Sequence, residues 1–326
     1  MLTIAIPDDY QDCVRQLRCF DLIRHHRVQV YHDTVSTLDE QAARFAQADV
    51  LVLTRERTRV SAALLDRLPR LKLIAQTGKL HTHVDQAACH ARGVLLTEGS
   101  GAGTATTEMT LLLILASLRH LVDEVQRLHA GLWQGHVGRQ LHGRILGIYG
   151  YGRLGKQLAQ VGHALGARIV VHGRASSLQN AQADGWSVCT DRAEFFSAVD
   201  VLSLQLRLNE ETRGIVTAAD LARMKPDAVL VNTSRAELIA PGALEAALRS
   251  GRPGRAAVDV YESEPVLGAS HPLLSLPNCL CSPHLGFVEL DNYEAYFGAA
   301  FQGIVDHEAR LLPLAGQARQ ASLSAG

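Results

Sequence analysis

The chain lacks any C-x-x-C pair: its six cysteines stand at 13, 19, 89, 189, 279 and 281. A chain of 326 residues needs no disulfide staples, so thiols scattered in this way read as reduced ones of a cytosolic protein. Long apolar runs are also missing. The start, MLTIAIPDDY, is broken by Pro7, Asp8 and Asp9, which excludes a signal peptide. The stretch Met109–Leu118 is interrupted by Thr110 and Ser117 and reaches about half of a bilayer span. Charge of one sign is absent as well. Lys+Arg 32 against Asp+Glu 33 leave a net charge of −1, so no global field draws the protein to nucleic acid or to an anionic membrane. Lysine is scarce, four of the 32 basic residues, which with abundant alanine reflects GC-rich coding more than function. These absences predict a cytoplasmic protein with neither a nucleic-acid nor a membrane partner. What is present, 47% apolar and 20% charged residues, suffices for two well-filled domains.

Two series of short β-rich runs follow one another. The first is Leu2–Ile6, Val28–Tyr31, Asp49–Thr54, Leu71–Ala75 and Val94–Leu96, with helical stretches at Gln11–Arg24, Leu38–Ala46 and Ser61–Leu68. The runs are nearly continuous in Val, Ile and Leu, as parallel strands covered on both faces are. A breaker, Gly99–Gly103, precedes a helix capped by Thr106 or Thr107, with Glu108 in its first turn, running through Leu128 to Gly131. The second series is Arg144–Tyr149, Arg168–His172, Val199–Leu204, Ala228–Asn232, Ala256–Tyr261 and Asn278–Cys281, with helices at Leu154–Leu165, Ala193–Ala198, Ala218–Met224 and Ala243–Arg249. Six strands with crossover helices match a dinucleotide-binding fold. The chain is helical again from Leu290 to about Leu312, and its tail, Ala315–Gly326, reads as disordered.

Gly150, Tyr151, Gly152, Arg153, Leu154 and Gly155 form a G-x-G-x-x-G between the first strand of the second series and a helix. That context makes it a phosphate loop: Gly150 turns, Gly152 lets the backbone approach a pyrophosphate, and Gly155 lets helix pack on strand. The next strand ends Val170-Val-His-Gly173-Arg174. A carboxylate there would bind the ribose 2′-hydroxyl of NAD. Gly173 removes the negative charge and Arg174 adds a positive one, which favours the 2′-phosphate of NADP over NAD. Farther on, Arg235, Glu264 and His284 follow the ends of three successive strands, on the edge where open α/β sheets bind ligands. His81-x-His83, with Asp85, Cys89 and His90, matches no standard zinc spacing, so no metal is expected.

With these residues in place the chain resembles the D-isomer-specific 2-hydroxyacid dehydrogenase family, which includes phosphoglycerate dehydrogenases, glyoxylate/hydroxypyruvate reductases and formate dehydrogenases. The resemblance covers nearly the whole chain. It is carried by Gly131-Leu-Trp133 and Leu141–Ile148 before the glycine loop, Met224–Arg235, Asp259-Val-Tyr-Glu-Ser-Glu-Pro265 and Ser282-Pro-His-Leu-Gly286. It implies two doubly wound parallel-sheet α/β domains, a Rossmann dinucleotide-binding domain (101–287) inserted into a flavodoxin-like substrate domain (1–100 and 288–326). It implies catalytic roles for Arg235, Glu264 and His284. The cofactor set is the glycine loop with Gly173, Arg174, Thr212, Thr233, Asp259 and Gly286, Asp259 holding the nicotinamide carboxamide. Thr77, Gly78 and Lys79, ahead of Val84-Asp85, match the turn whose N–H groups take the substrate carboxylate, together with Arg235 and His284. The helix from Glu108 matches the family's dimer-forming segment, implying a homodimer.

The reaction so implied is hydride transfer between a nicotinamide and a small 2-keto or 2-hydroxy acid. Arg235 polarises the keto oxygen, His284 donates the proton, and Glu264 fixes the histidine tautomer. Several positions depart from the family pattern. Gln205 and Arg207 stand for its usual His and Pro, Ala236 for the Gly after the arginine, and Gly173 for the Asp. Two other readings stay open: a dinucleotide-sensing binding protein of the same fold, and an enzyme oxidising a different small acid. Formate dehydrogenases of the family carry Gln in place of the Glu, so Glu264 favours a hydroxy or keto acid.

Overall fold

The computed structural model describes residues 1–99 and 103–312. Most of the Gly99–Gly103 breaker and the tail Ala315–Gly326 lie outside these residues. The chain divides into two compact units, Met1–Ala102 with Glu289–Gly326, and Gly103–Val288.

The first unit holds β1 (Thr3–Ile6), β2 (Arg27–Val30), β3 (Val50–Leu53), β4 (Leu73–Gln76) and β5 (Leu95–Glu98), all parallel, in the order β2-β1-β3-β4-β5. This is the flavodoxin-like order. Strands β1, β3 and β4 are buried at every position, which is why they read as unbroken apolar runs rather than as alternation. The last helix, Leu290–Leu311, returns to this unit and buries Phe297, Phe301 and Ile304. The segment 11–24 is not the expected α-helix but two 3₁₀ turns, Val14–Gln16 and Arg18–Leu22, separated by Leu17 at ψ 140°. One nearby carboxylate and one distant in sequence fix this geometry. Asp9 accepts the Cys13 and Val14 N–H groups, and Glu294 of the last helix accepts those of Arg18 and Cys19, at 2.6 and 3.0 Å.

The second unit holds β6 (Ile145–Tyr149), β7 (Arg168–His172), β8 (Ser187–Val188), β9 (Val201–Leu204), β10 (Val229–Asn232), β11 (Arg255–Val258) and β12 (Cys279–Cys281). The sheet is parallel, in the order β12-β11-β10-β9-β6-β7-β8. It has one strand more than the sequence suggests, because β8 is only Ser-Val and carries no periodicity. Strand order reverses between β6 and β9, and that reversal opens the crevice in which such sheets hold dinucleotides. The helix expected from Thr106 to Leu128 is two helices, Thr104–Leu118 and Leu121–His129, bent by 63°. The break falls at His120, in the left-handed region at φ 54°. Gly103, not a threonine, is the N-cap. The Thr106 hydroxyl instead donates to the Gly286 carbonyl at 2.8 Å, and that of Thr107 lies 2.9 Å from Gln157 Oε1. Among the described residues no single helix is long and apolar enough to cross a membrane, although this bent pair passes by length and composition.

Candidate active site

The glycine loop joins β6 to the helix Arg153–Ala164 at the order reversal. Gly150 sits at φ 98°, and a Cβ there would lie 2.6 Å from the Gln205 carbonyl oxygen at the end of β9. A Cβ on Gly155 would lie 2.5 Å from the Gly150 carbonyl oxygen. At Gly152 a Cβ would meet nothing within 4 Å, so open space faces the first turn of a twelve-residue helix. Two glycines are thus demanded by close approach, and the third clears a path to N–H groups suited to an anion. A pyrophosphate fits this arrangement. Gln205 Oε1 is buried there without a partner, while its Nε2 donates to Ser203 Oγ at 3.0 Å. The other loop side chains serve the fold: the Tyr151 hydroxyl donates to Asp184 at 2.8 Å, and Leu154 and Arg153 pack on Gly103.

At the end of β7, Gly173 has φ 156°, and Arg174 is the exposed N-cap residue of the helix Ala175–Ala183. Ser176 and Ser177 lie in that helix's first turn, so an anion here would meet a guanidinium and a helix N-terminus together. Thr212 and Thr233 have hydroxyls already engaged. The first staples its own loop, donating to the Arg207 carbonyl at 2.6 Å, and the second lies 2.7 Å from the Thr110 hydroxyl.

Arg235, Glu264 and His284 follow β10, β11 and β12 at the carboxyl edge of the same sheet. His284 Nδ1 and Glu264 Oε2 are 2.6 Å apart, and Glu264 Oε1 accepts the Tyr261 N–H at 3.0 Å. The glutamate is therefore aimed by its own loop, and the bond at Nδ1 leaves Nε2 for chemistry. His284 occupies the left-handed region at φ 52°, a strained conformation for a non-glycine residue. Asp259 holds it there. Fully buried, it accepts the Leu285 and Gly286 N–H groups at 2.8 and 2.7 Å and the Ser282 hydroxyl at 2.6 Å. Burial pushes its carboxyl up, against the pull of these three donors. The family resemblance implies a cofactor contact for Asp259, and the structure adds this hold on the histidine turn. Arg235 is half-buried. Its Nη1 donates to the Ser234 carbonyl at 2.7 Å, and Asn232 Nδ2 donates to the Arg235 carbonyl at 2.9 Å.

In the first unit, the Thr77 hydroxyl donates to the Leu53 carbonyl and accepts the Arg55 N–H, each at 3.0 Å. The Lys79 ammonium is paired with Glu98 at 2.9 Å. Among the described residues the Gly78 and Lys79 N–H groups meet no acceptor, so the turn presents two backbone donors. Sequence reasoning passed over Arg55. Its guanidinium lies on this turn, Nη1 being 2.5 Å from where a Gly78 Cβ would be, and it stacks on Tyr296 with 5.2 Å to the ring centre. No sequence signal marks Arg55, because Tyr296 comes from the other end of the chain. The His81–His90 segment serves the fold: Asp85 caps the helix Gln86–Ala91, Cys89 is core, and His83 Nε2 lies 3.1 Å from Gln76 Oε1.

Residues 111–286 match the model of a family described as D-isomer specific 2-hydroxyacid dehydrogenase, NAD binding domain. The chain is 35% identical over 252 residues to a glyoxylate reductase of Aeropyrum pernix, covering 74% of each chain. It is 32% identical over 310 residues to a glyoxylate/hydroxypyruvate reductase B of Citrobacter koseri, covering 93% of this chain and 92% of that one. Its fold superposes on the crystal structure of a phosphoglycerate oxidoreductase from Vibrio cholerae O395 with a TM-score of 0.93 and 49% identity, over 95% of this chain and 100% of the other. The chain belongs to the D-isomer specific 2-hydroxyacid dehydrogenase family and is an NAD(P)-dependent oxidoreductase that moves a hydride between a nicotinamide and a 2-hydroxy or 2-keto acid.

Proposed function

We propose that this enzyme reduces small 2-keto acids of the glyoxylate and hydroxypyruvate class, prefers NADPH, and works as a homodimer. The observation that carries the catalytic part is the 2.6 Å bond between Glu264 and His284 on a turn that Asp259 holds in the left-handed region. The glycine loop with Gly173 and Arg174 would hold the dinucleotide, which when bound would supply the hydride for C2 of the keto acid. His284 Nε2 gives its proton to the keto oxygen while Glu264 compensates the imidazolium from the other side. Arg235 grips the carboxylate and the keto oxygen with its planar fork. The Gly78 and Lys79 N–H groups take the carboxylate, and Arg55 adds a second guanidinium at that turn. Glu264 and the reductases among the relatives support a keto acid over formate. Steady-state turnover of glyoxylate, hydroxypyruvate, pyruvate and bulkier 2-keto acids with each cofactor tests the assignment. Activity confined to acids outside this class would overturn it.

The cofactor preference rests on Gly173 and Arg174. A charge-assisted hydrogen bond to the 2′-phosphate stabilises by about 1.5–3 kcal/mol, and solvent at the exposed Arg174 reduces that, leaving roughly tenfold. The kcat/KM ratio of NADPH to NADH is expected near ten or above, and Arg174→Gln should bring it to about one. Arg174 is a cleaner test than an Asp at Gly173, since a side chain at φ 156° would also crowd Ser177, 3.3 Å from the new Cβ. A wild type preferring NADH would contradict the reading.

The dimer rests on the two bent helices and the chain after them. Leu112, Leu115, Leu121, Val125 and Leu128 are exposed there, and Trp133 is 74% exposed. So many large apolar residues in one region mark a surface that another copy covers. Sedimentation equilibrium at micromolar concentration should return a dimer mass, and Leu121→Asp/Leu128→Asp should give a folded monomer. A monomeric wild type would exclude this assembly.

A further inference from the structure

Cys279 and Cys281 share one side of β12, with their sulfurs 3.7 Å apart. They are close in space although no C-x-x-C spacing announces them. Strand β12 is one of the two edge strands of its sheet and, among the described residues, pairs only with β11, so its backbone has one neighbour to give up when it moves. Both thiols are half-buried and line a cleft of about 340 Å³ with Ser117, Val122, Gln126 and Leu276, so a small oxidant reaches them in a single protomer, beside the helices on which the dimer proposal rests. Cys281 also touches the Tyr261 side chain.

Tyr261 joins this pair to the catalytic one. Its hydroxyl donates to the Ser282 carbonyl at 3.0 Å, and its N–H donates to Glu264 Oε1 at 3.0 Å. Ser282, next to Cys281 and two residues before His284, is anchored again through its hydroxyl to Asp259 at 2.6 Å. Shortening the chain between the two sulfurs therefore pulls on a residue bolted to both Tyr261 and Asp259. The displacement passes to the elements that hold Glu264 and His284.

We propose that Cys279 and Cys281 form an oxidation site at which a hydroperoxide makes a disulfide, and that this disulfide slows catalysis by displacing Tyr261 and the turn that carries His284. The Cys281 sulfur attacks the peroxide: an S–O bond forms, the O–O bond breaks, and water or an alcohol leaves. The Cys279 thiol then attacks that sulfenic sulfur. The S–S bond forms, the S–O bond breaks, and hydroxide departs with the thiol proton as water. Two thiols lose one electron each, and the peroxide is reduced. The sulfurs must close from 3.7 Å to about 2.05 Å, which the edge strand allows only by bending. The two sulfurs are within hydrogen-bond reach of each other, and the neighbouring Cys279 thiol holds the Cys281 pKa down. Burial pushes Cys13 and Cys19 up to about 12 and Cys89 to about 11, which leaves them poor competitors.

The effect on catalysis rests on the Glu264–His284 reading above, but the disulfide does not. The test treats the whole enzyme with hydrogen peroxide, then alkylates it, maps peptides by mass and measures kcat before and after dithiothreitol. The expected result is a peptide spanning Cys279–Cys281 that has lost two hydrogens and resists alkylation. It should be accompanied by a fall in kcat of about 10- to 100-fold, the cost of misplacing reacting groups by a fraction of an ångström to one ångström. Reductant should restore activity. Cys279→Ala should keep basal activity and yield a dimedone-trapped sulfenic acid at Cys281 instead. Free thiols at both positions after treatment, a disulfide with full activity, or equal inactivation of Cys279→Ala/Cys281→Ala would each overturn the proposal. An inactive His284→Ala enzyme beside an unresponsive thiol pair would overturn this proposal and leave the catalytic reading standing.

Discussion

His284→Ala is expected to lower kcat by at least ~100-fold, the low end for loss of a positioned acid–base group. Its carboxylate partner, Glu264, is itself aimed by the Tyr261 N–H and has no proton of its own to give when ionised. Binding of NADPH, followed by fluorescence quenching, should be intact because the glycine loop belongs to another part of the sheet. Alanine carries a confounding cost, because residue 284 sits at φ 52° and a non-glycine residue pays about 1 kcal/mol or more there. Asparagine tolerates that region better. His284→Asn therefore keeps the turn and removes the proton donor, and it should be as inactive as the alanine variant while melting close to wild type. An Asn variant with near-normal kcat would mean that the proton comes from elsewhere.

Arg235→Ala should reduce kcat/KM for the keto acid by about 10- to 100-fold per hydrogen bond lost, from about 1.5–3 kcal/mol for each charge-assisted one. Most of the loss should appear as a higher KM, with some in kcat because the fork also polarises the oxygen that becomes the hydroxyl. Arg235 has φ −146°, ordinary extended backbone, so alanine there adds no strain. Arg235→Lys should recover little, since a point charge cannot bridge the carboxylate and the keto oxygen at once. A KM for both variants within about threefold of wild type, less than a single hydrogen bond is worth, would remove Arg235 from the substrate contacts.

Residues whose roles depend on neighbours in sequence were legible before the structure. The glycine loop declares itself through strand, spacing and helix, and β1, β3 and β4 through unbroken apolar runs. Legibility fails where a distant partner decides. The 3₁₀ turns near Arg18 are set by Glu294, and the break at His120 falls inside an otherwise continuous helical pattern. The two-residue β8 is too short to carry a period. In the site, the Arg–Glu–His order along three strand ends could be read directly. That Asp259 clamps the histidine turn could not, because its three donors lie 23 to 27 residues away. The contact between Cys279 and Cys281 was hidden by a spacing that suits no standard motif, yet strand alternation puts residues two apart on one face.

The most direct test of the account is the product formed from hydroxypyruvate and NADPH, read by chiral chromatography against the NADPH consumed. Hydride delivery in a D-specific site with His284 as acid predicts one D-glycerate for each NADPH oxidised, and a product formation rate that collapses in His284→Asn. L-glycerate as the product, or no NADPH oxidation with hydroxypyruvate, glyoxylate or pyruvate at saturating cofactor, would contradict it.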